Sequence, residues 1–353
     1  MSTSARYRVI HETRYQYTAP VSSARQVAHL TPRATNWQAV YEHRLTITPA
    51  PTEQSEGEDF FGNRITRFTH DSGFDEQVVH AESLVDVQAH APAADAPSPD
   101  WRSVRELCVD GPPALRFELA QFCTASAMAP VLPEAAEYAK GALRESGPWL
   151  TTLLALTHAI HAEFAFDPAA TTLATPVLEI IENKRGVCQD FAHLMISCLR
   201  SVGLPARYVS GYILTHPPAG QPRLIGADAS HAWVSAYCPE FGWVDFDPTN
   251  GKLADTEFIT LGWGRDFSDV TPLRGVVLGS GSQELEVRVT VTPLDADAAI
   301  VSTGQTQTQT QTQTQSQTQS QTQTQTQSQN QSMGPADTAL PSGSQSQSQN
   351  MGS

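Results

Sequence analysis

The sequence predicts an α+β protein in two parts. A small antiparallel β-sandwich comes first, then a domain in which helices precede antiparallel strands, and the chain ends in a disordered tail. Three observations carry this reading. Residues 5–88 alternate along a strand period and show no helical period. The pattern turns helical at Trp101 and returns to strands after Gly203. Residues 304–353 hold a single charge, Asp337, and five apolar residues, too few to build a core. The boundaries that follow are 1–88 for the sandwich, 89–100 for a linker, 101–303 for the mixed domain and 304–353 for the tail.

In the first part Tyr7, Val9, Thr13, Tyr15 and Tyr17 share one parity, and Arg6, Arg8, Glu12, Arg14 and Gln16 the other. This is a half-buried strand whose tyrosines face the core. Val40–Thr48, Arg64–Thr69 and Val78–Val87 read as further strands, punctuated by Pro49–Pro51 and by Phe61-Gly62-Asn63. Short strands at this spacing predict a sandwich. Ala89–Asp100 is rich in Ala and Pro and lacks any period, as a linker does.

Helices are predicted over Trp101–Leu107, Leu115–Ala127, Pro133–Glu145 and Trp149–Phe164; in the last, Leu150, Leu153, Leu154, Thr157 and Ile160 follow helical spacing. Arg185-Gly186-Val187 leads into Cys188–Val202, where Phe191, Leu194, Met195, Cys198, Leu199 and Val202 form an apolar stripe. Gly203 and Pro205 stop that helix. Strands follow at Ala206–Leu214, Ala229–Tyr237 and Gly242–Asp247, with a late strand placing Leu285, Val287, Val289 and Val291 on one face.

The chain carries 37 acidic and 22 basic residues, a formal charge of −15, and setting the tail aside changes this only by Asp337. That sign disfavours nucleic acid or an anionic membrane as a partner, since Lys and Arg neutralise phosphate. No apolar run is long enough to span a bilayer, and MSTSARYRVIHETRYQY lacks the apolar core of a secretory signal. The cysteines (Cys108, Cys123, Cys188, Cys198 and Cys238) are odd in number and sparse, which argues against a disulfide framework. A cytoplasmic protein with reduced thiols is expected.

Cys188 stands out among them. It follows Gly186 closely and opens the amphipathic helix, where unpaired N–H groups and the helix dipole favour a thiolate over a thiol of ordinary pKa, about 8.5. The bland reading, a small buried residue, suits Cys198 on the apolar stripe. A thiol nucleophile needs a base, and the base an orienting acceptor. Downstream, His231 and Trp233 share a face of Ser230-His231-Ala232-Trp233-Val234, and Asp247 closes Trp243-Val244-Asp245-Phe246-Asp247 before the turn Pro248-Thr249-Asn250-Gly251. Adjacent antiparallel strands can bring His231 and Asp247 within hydrogen-bond reach. Asp245 shares the parity of Asp247 and competes for the role; Asp247 is preferred because it ends the strand. His158 and His161 read as partly exposed polar positions. His193 is turned about 140° from Cys188 around the helix and reads as structural. Asp190 reads as a favourable charge in the first helical turn, and Arg265, Asp266 and Asp269 as a structural turn.

GVCQDFAHLMISCLRSVGLPARYVSGYI (186–213), DASHAWVSAY (228–237) and GWVDFDPTNG (242–251) together resemble the core of the transglutaminase-like superfamily, in its chain order of Cys, His and Asp. YRVIHETRYQYTAPV, LTPR, DFFGN and GRDFSDVTPLRGVVLG resemble a bacterial branch of it that carries a β domain before the core, and the likeness spans residues 5–293. The resemblance implies a papain-like core with Cys188 as nucleophile, His231 as base and then acid, and Asp247 as the acceptor that orients the imidazolium. Gln189 stands where animal members carry Trp, and no acidic calcium loop is visible. No cofactor or metal is implied. The expected chemistry is hydrolysis of an amide or peptide bond through a Cys188 thioester. A protein-glutamine transglutaminase is the close alternative, and a non-catalytic binding module a more distant one. An arylamine-type acetyltransferase also uses Cys, His and Asp but matches the flanking blocks less well. The expected partner is a peptide or protein amide substrate, and oligomeric state is not readable. Fourteen glutamines at odd positions from Gln305 to Gln331 are potential acyl donors for self-modification, or a repeat without function.

Overall fold

The computed structural model describes residues 4–143, 147–173, 175–216, 230–279 and 281–294; the glutamine-rich tail predicted at 304–353 lies outside them. The first sheet is organised by one long strand, β1 (Ser4–Ala28), on which the tyrosine parity holds: Tyr7 and Tyr15 are buried, and Tyr17 partly so. Four strands complete the N-terminal region: β2 (Gln38–Thr48), β3 (Glu53–Glu58), β4 (Arg64–His70) and β5 (Phe74–Gln88), in the antiparallel order β2-β5-β1-β4-β3. The register on β1 shifts between Gln16 and Val21. Its first half pairs with β5, and its second half pairs with β4. Tyr15, Ile47, Val79 and Ala81 from one half meet Ala28 and Phe68 from the other in a single cluster, so one strand serves both halves of a single sheet. The polar strand β3 (EQSEGE) has no apolar parity to announce it and lies at the sheet's edge.

After the linker come α1 (Trp101–Asp110), α2 (Pro113–Cys123), α3 (Pro133–Ala142) and α4 (Trp149–Glu163). They are followed by β6 (Ala165–Phe166), α5 (Val177–Asn183), β7 (Arg185–Gly186) and α6 (Cys188–Ser201). Asp100 caps α1 by accepting the Arg102 N–H, and prolines begin α2 and α3, where a missing N–H does no harm. The second sheet runs β11-β10-β9-β8-β12, with β8 (Ala206–Ile213), β9 (Ser230–Cys238), β10 (Gly242–Asp247), β11 (Lys252–Leu253) and β12 (Phe258–Gly264). The apolar stripe of α6 packs on Ala206, Tyr208, Ala232, Val234 and Ala236, forming the largest core. Among the described residues no helix is long and apolar enough to cross a membrane.

The two sheets are tied together. Tyr7, Val9, Val85 and Val87 pack against Tyr212, Ile259 and Leu261. The free edge of β12 is closed by two side-chain amides acting as peptide groups. Gln38 donates to the Thr260 carbonyl and accepts the Thr260 N–H, each at 2.8 Å. Asn63 donates to the Trp263 carbonyl at 2.8 Å and accepts its N–H at 3.0 Å. The last strands return to the beginning of the chain. Beyond a short turn at Phe267–Asp269, β13 (Leu273–Gly279) pairs with the second half of β1, and β14 (Gln283–Leu294) with the first. The late strand expected to extend the mixed domain is therefore part of the first sheet. Val289 and Val291 face its core, because β1 offers an unpaired edge of matching length.

Candidate active site

Cys188 is the first residue of α6, and the turn before it is tightly specified. Lys184, in the left-handed region at φ 51°, ends α5. Asp190 then reaches back to accept the Val187 N–H at 2.8 Å and the Thr171 hydroxyl at 2.7 Å. This is the return half of a capping box, with the helix N-terminus favouring the carboxylate. Gly186 is required here, since a Cβ would lie 2.8 Å from the Asp190 Oδ2. Asp190 is almost fully buried, and that burial raises its pKa against the lowering effect of its two donors. Cys188 itself is half-buried at the mouth of a cleft, its N–H among the first-turn donors that have no helical partner.

His231 sits near the start of β9, just beyond the β9–β10 pairing that runs from Cys238 opposite Gly242 to Val234 opposite Phe246. Asp247 ends β10. The His231 Nε2 donates to the Asp247 Oδ2 at 2.8 Å, with both side chains buried. Asp247 is held by the turn that follows it: Oδ1 accepts the N–H groups of Thr249 (2.9 Å) and Asn250 (3.2 Å), and Oδ2 accepts the Asn250 amide at 2.6 Å. His161 on α4 donates to the Thr249 carbonyl at 2.8 Å and so braces the same turn. Burial by itself would lower the His231 pKa. The charge and hydrogen bond of Asp247, and then the Cys188 thiol hydrogen-bonded to the ring, outweigh it and raise the value to about 10. Burial likewise works against the Asp247 carboxylate, but His231 and Asn250 carry its pKa below the ordinary value. The arrangement favours an imidazolium held between a carboxylate and a sulfur.

Asp245, the competitor by parity, is buried elsewhere in the network. It accepts the Trp233 indole N–H at 3.0 Å, and the Trp233 ring lies beside that of His231, with centroids 6.1 Å apart and planes at 29°. Behind it Arg207 is sandwiched between Trp243 and Trp263, at 4.4 and 3.8 Å from the ring centroids. His193 is buried on α6, accepts the Phe267 N–H at 3.2 Å and stacks on Tyr208 with centroids 5.0 Å apart. Burial lowers its pKa to about 4. Asp266 caps the Phe267–Asp269 turn by accepting from Ser268 and from the Met128 N–H, while Arg265 pairs with Asp269 at 2.9 Å. His158 is exposed. All five cysteines are unpaired, and Cys198 lies in the helix core.

The cleft, about 700 Å³ including its mouth, joins Cys188, Gln189 and His231 to Thr171, Tyr208 and Phe267. Sequence reasoning brought Cys188, His231 and Asp247 forward, and these are gathered here. It did not single out Thr171, Asn250, Tyr208 or Phe267. Of these only Asn250 carried a local signal, being the polar residue of the turn that leaves Asp247.

Two family models match the chain. One, described as a bacterial transglutaminase-like N-terminal region, covers residues 7–86, and the other, described as the transglutaminase-like superfamily, covers residues 136–248. An uncharacterised protein of Mycobacterium tuberculosis is 38% identical over 285 residues, spanning 78% of this chain and 89% of that protein. A protein-glutamine gamma-glutamyltransferase of Pseudomonas aeruginosa is 36% identical over 103 residues, which is 27% of this chain and 15% of that enzyme. Among solved structures, that of a Cytophaga hutchinsonii protein described as a candidate cysteine protease superposes with a TM-score of 0.66 at 22% identity, covering 84% of this chain and 93% of that one.

Proposed function

The chain belongs to the transglutaminase-like superfamily, and on that premise we propose that it is a thiol-dependent acyl-transfer enzyme that hydrolyses amide or peptide bonds through a Cys188 thioester. The observation that carries this reading is the 2.8 Å hydrogen bond from His231 to the buried Asp247, with His231 and Cys188, a cysteine at a helix N-terminus, lining one cleft. His231 has one ring nitrogen committed to Asp247, which leaves the other for the thiol and the leaving group.

The Cys188 thiolate attacks the carbonyl carbon, an S–C bond forms, and the carbonyl π pair moves onto oxygen. Collapse restores the carbonyl and breaks the C–N bond, while His231 delivers its proton to the departing amine. Water, losing a proton to His231, then attacks the thioester and returns Cys188 to the thiolate. Asp247 holds the imidazole and stabilises its charged form.

A primary amine in place of the water makes the same enzyme a protein-glutamine transglutaminase. The P. aeruginosa relative supports that second reading, through a matched segment limited to 103 residues. The superfamily implies peptide or protein substrates in either case. A cytoplasmic setting is part of the proposal, resting on the sparse, unpaired cysteines. The deciding experiment incubates the protein with a glutamine peptide, with and without a primary amine. Hydrolysis predicts release of ammonia with no amine incorporated. Stoichiometric incorporation of the amine supports the transferase reading, and the absence of both reactions from a panel of amide substrates favours a binding module.

A further inference from the structure

Tyr208 lies on β8 opposite Val234, on the face that packs against α6. Its ring is stacked on His193, with centroids 5.0 Å apart at 30°, and meets Phe267 edge-on at 6.2 Å and 72°. His193 and Phe267 are themselves joined by the Phe267 N–H, so the ring is gripped by a fixed frame. The residue is 2% exposed, and the surface it retains lines the cleft that also holds Cys188 and His231.

Buried tyrosine hydroxyls ordinarily find a hydrogen-bond partner. Among the described residues this one has none. A phenol whose ring is rigidly held beside a nucleophile, and whose unpartnered hydroxyl is not sealed away in the protein, is a donor waiting for an acceptor that arrives with the substrate. We propose that the Tyr208 hydroxyl donates a hydrogen bond to the carbonyl oxygen of the acyl group as that oxygen becomes an oxyanion on attack by Cys188. The Cys188 backbone N–H, free at the helix start, supplies the second donor. This rests on the reading of Cys188 as the residue that becomes acylated.

The assignment fits the other groups in the site. His231 already moves the proton, so a second acid–base group is not needed. Burial raises the phenol well above its ordinary pKa, with the nearby Cys188 the next contributor, so Tyr208 keeps its proton and acts as a donor. In the tetrahedral species the S–C bond has formed and the former π pair resides on the oxygen facing Tyr208. No proton changes hands at that oxygen, and collapse returns the pair to the carbonyl.

The test compares two reactions of the same thiol. Acylation of Cys188 by p-nitrophenyl acetate, which releases p-nitrophenolate, passes through an oxyanion. Alkylation by iodoacetamide displaces iodide at carbon and forms none. Both are followed by mass spectrometry of the Cys188 peptide, with Cys188→Ala as background. For Tyr208→Phe, which keeps the ring stack, acylation is expected to slow by about 10²-fold, with alkylation within about twofold of the parent rate. Unchanged acylation overturns the proposal, as does a parallel fall in both reactions, which assigns Tyr208 a purely structural part. Failure of the parent protein to acylate above the Cys188→Ala background overturns the enzyme reading itself and the Tyr208 assignment with it.

Discussion

Replacing Asp247 with Asn tests how the site is charged. Asn keeps the size of the side chain and can keep the Oδ1 bonds to the Thr249 and Asn250 N–H groups, but it replaces the Oδ2 that accepts from His231 at 2.8 Å and from the Asn250 amide. Burial then acts on His231 with only Cys188 opposing it, and the imidazole reverts toward the neutral form. The interval from the ordinary 6.5 to about 10 sets the scale: at roughly 1.4 kcal/mol per pH unit it is about 5 kcal/mol of preference for the imidazolium. Losing most of it abolishes the charge that stabilises a thiolate at neutral pH, and in the convergent triad built on serine, on an unrelated fold, the corresponding change slows turnover by about 10⁴. The assay is the rate of iodoacetamide alkylation of Cys188 between pH 5 and pH 10. The parent should react at a plateau rate while His231 holds its proton, and Asp247→Asn should lose that plateau. A variant that keeps the plateau at the parent rate refutes the coupling of Asp247 to Cys188 through His231. The sign can be checked in stability as well. A raised histidine pKa contributes below about 6.5 and is lost as pH rises through about 10, so the melting difference between parent and variant should shrink across that interval.

Two further outcomes follow from buried groups away from Cys188. His11, within 3.0 Å of the Tyr212 hydroxyl and 2.9 Å of the Thr13 hydroxyl, and His193 both have pKa values lowered by burial to about 4. Each is neutral in the folded protein while the unfolded chain protonates near 6.5, so stability should fall as pH drops from 6.5 to about 4, by about 3 kcal/mol per histidine; denaturant titrations at pH 7 and pH 4 on the parent and on His11→Gln read this directly. Gln38→Ala should expose both backbone groups of Thr260 at the β12 edge and lower unfolding free energy by about 2–4 kcal/mol, measured as a shift in denaturant midpoint with the slope unchanged.

Much of the site was legible because its residues carry local signals. Cys188 follows a glycine turn and opens an amphipathic helix, and Asp247 terminates a strand into Pro248-Thr249-Asn250. The choice between Asp247 and Asp245 turned on strand-end position, and the two carboxylates have different partners, His231 and Trp233. Tyr208 was not legible. Seven of the eight positions of β8 are buried, so alternation says nothing about which side chain meets a cleft. The same burial hid β12, whose FITLGWG lacks a polar parity, and the exposed β3 was hidden for the opposite reason. Gln38 and Asn63 act on backbone about 200 residues away, and no local pattern encodes such a contact. The return of β13 and β14 to β1 is likewise a matter of which edge is vacant, which depends on the whole chain.

The central claim is that Cys188 becomes acylated during turnover. Mass spectrometry after acid quench of the protein mixed with a glutamine peptide measures this. The account predicts an adduct of the peptide less ammonia on Cys188, absent from Cys188→Ala and accumulating in His231→Gln far more slowly than in the parent. Amide turnover with no adduct on Cys188, or turnover that persists in Cys188→Ala, would contradict it.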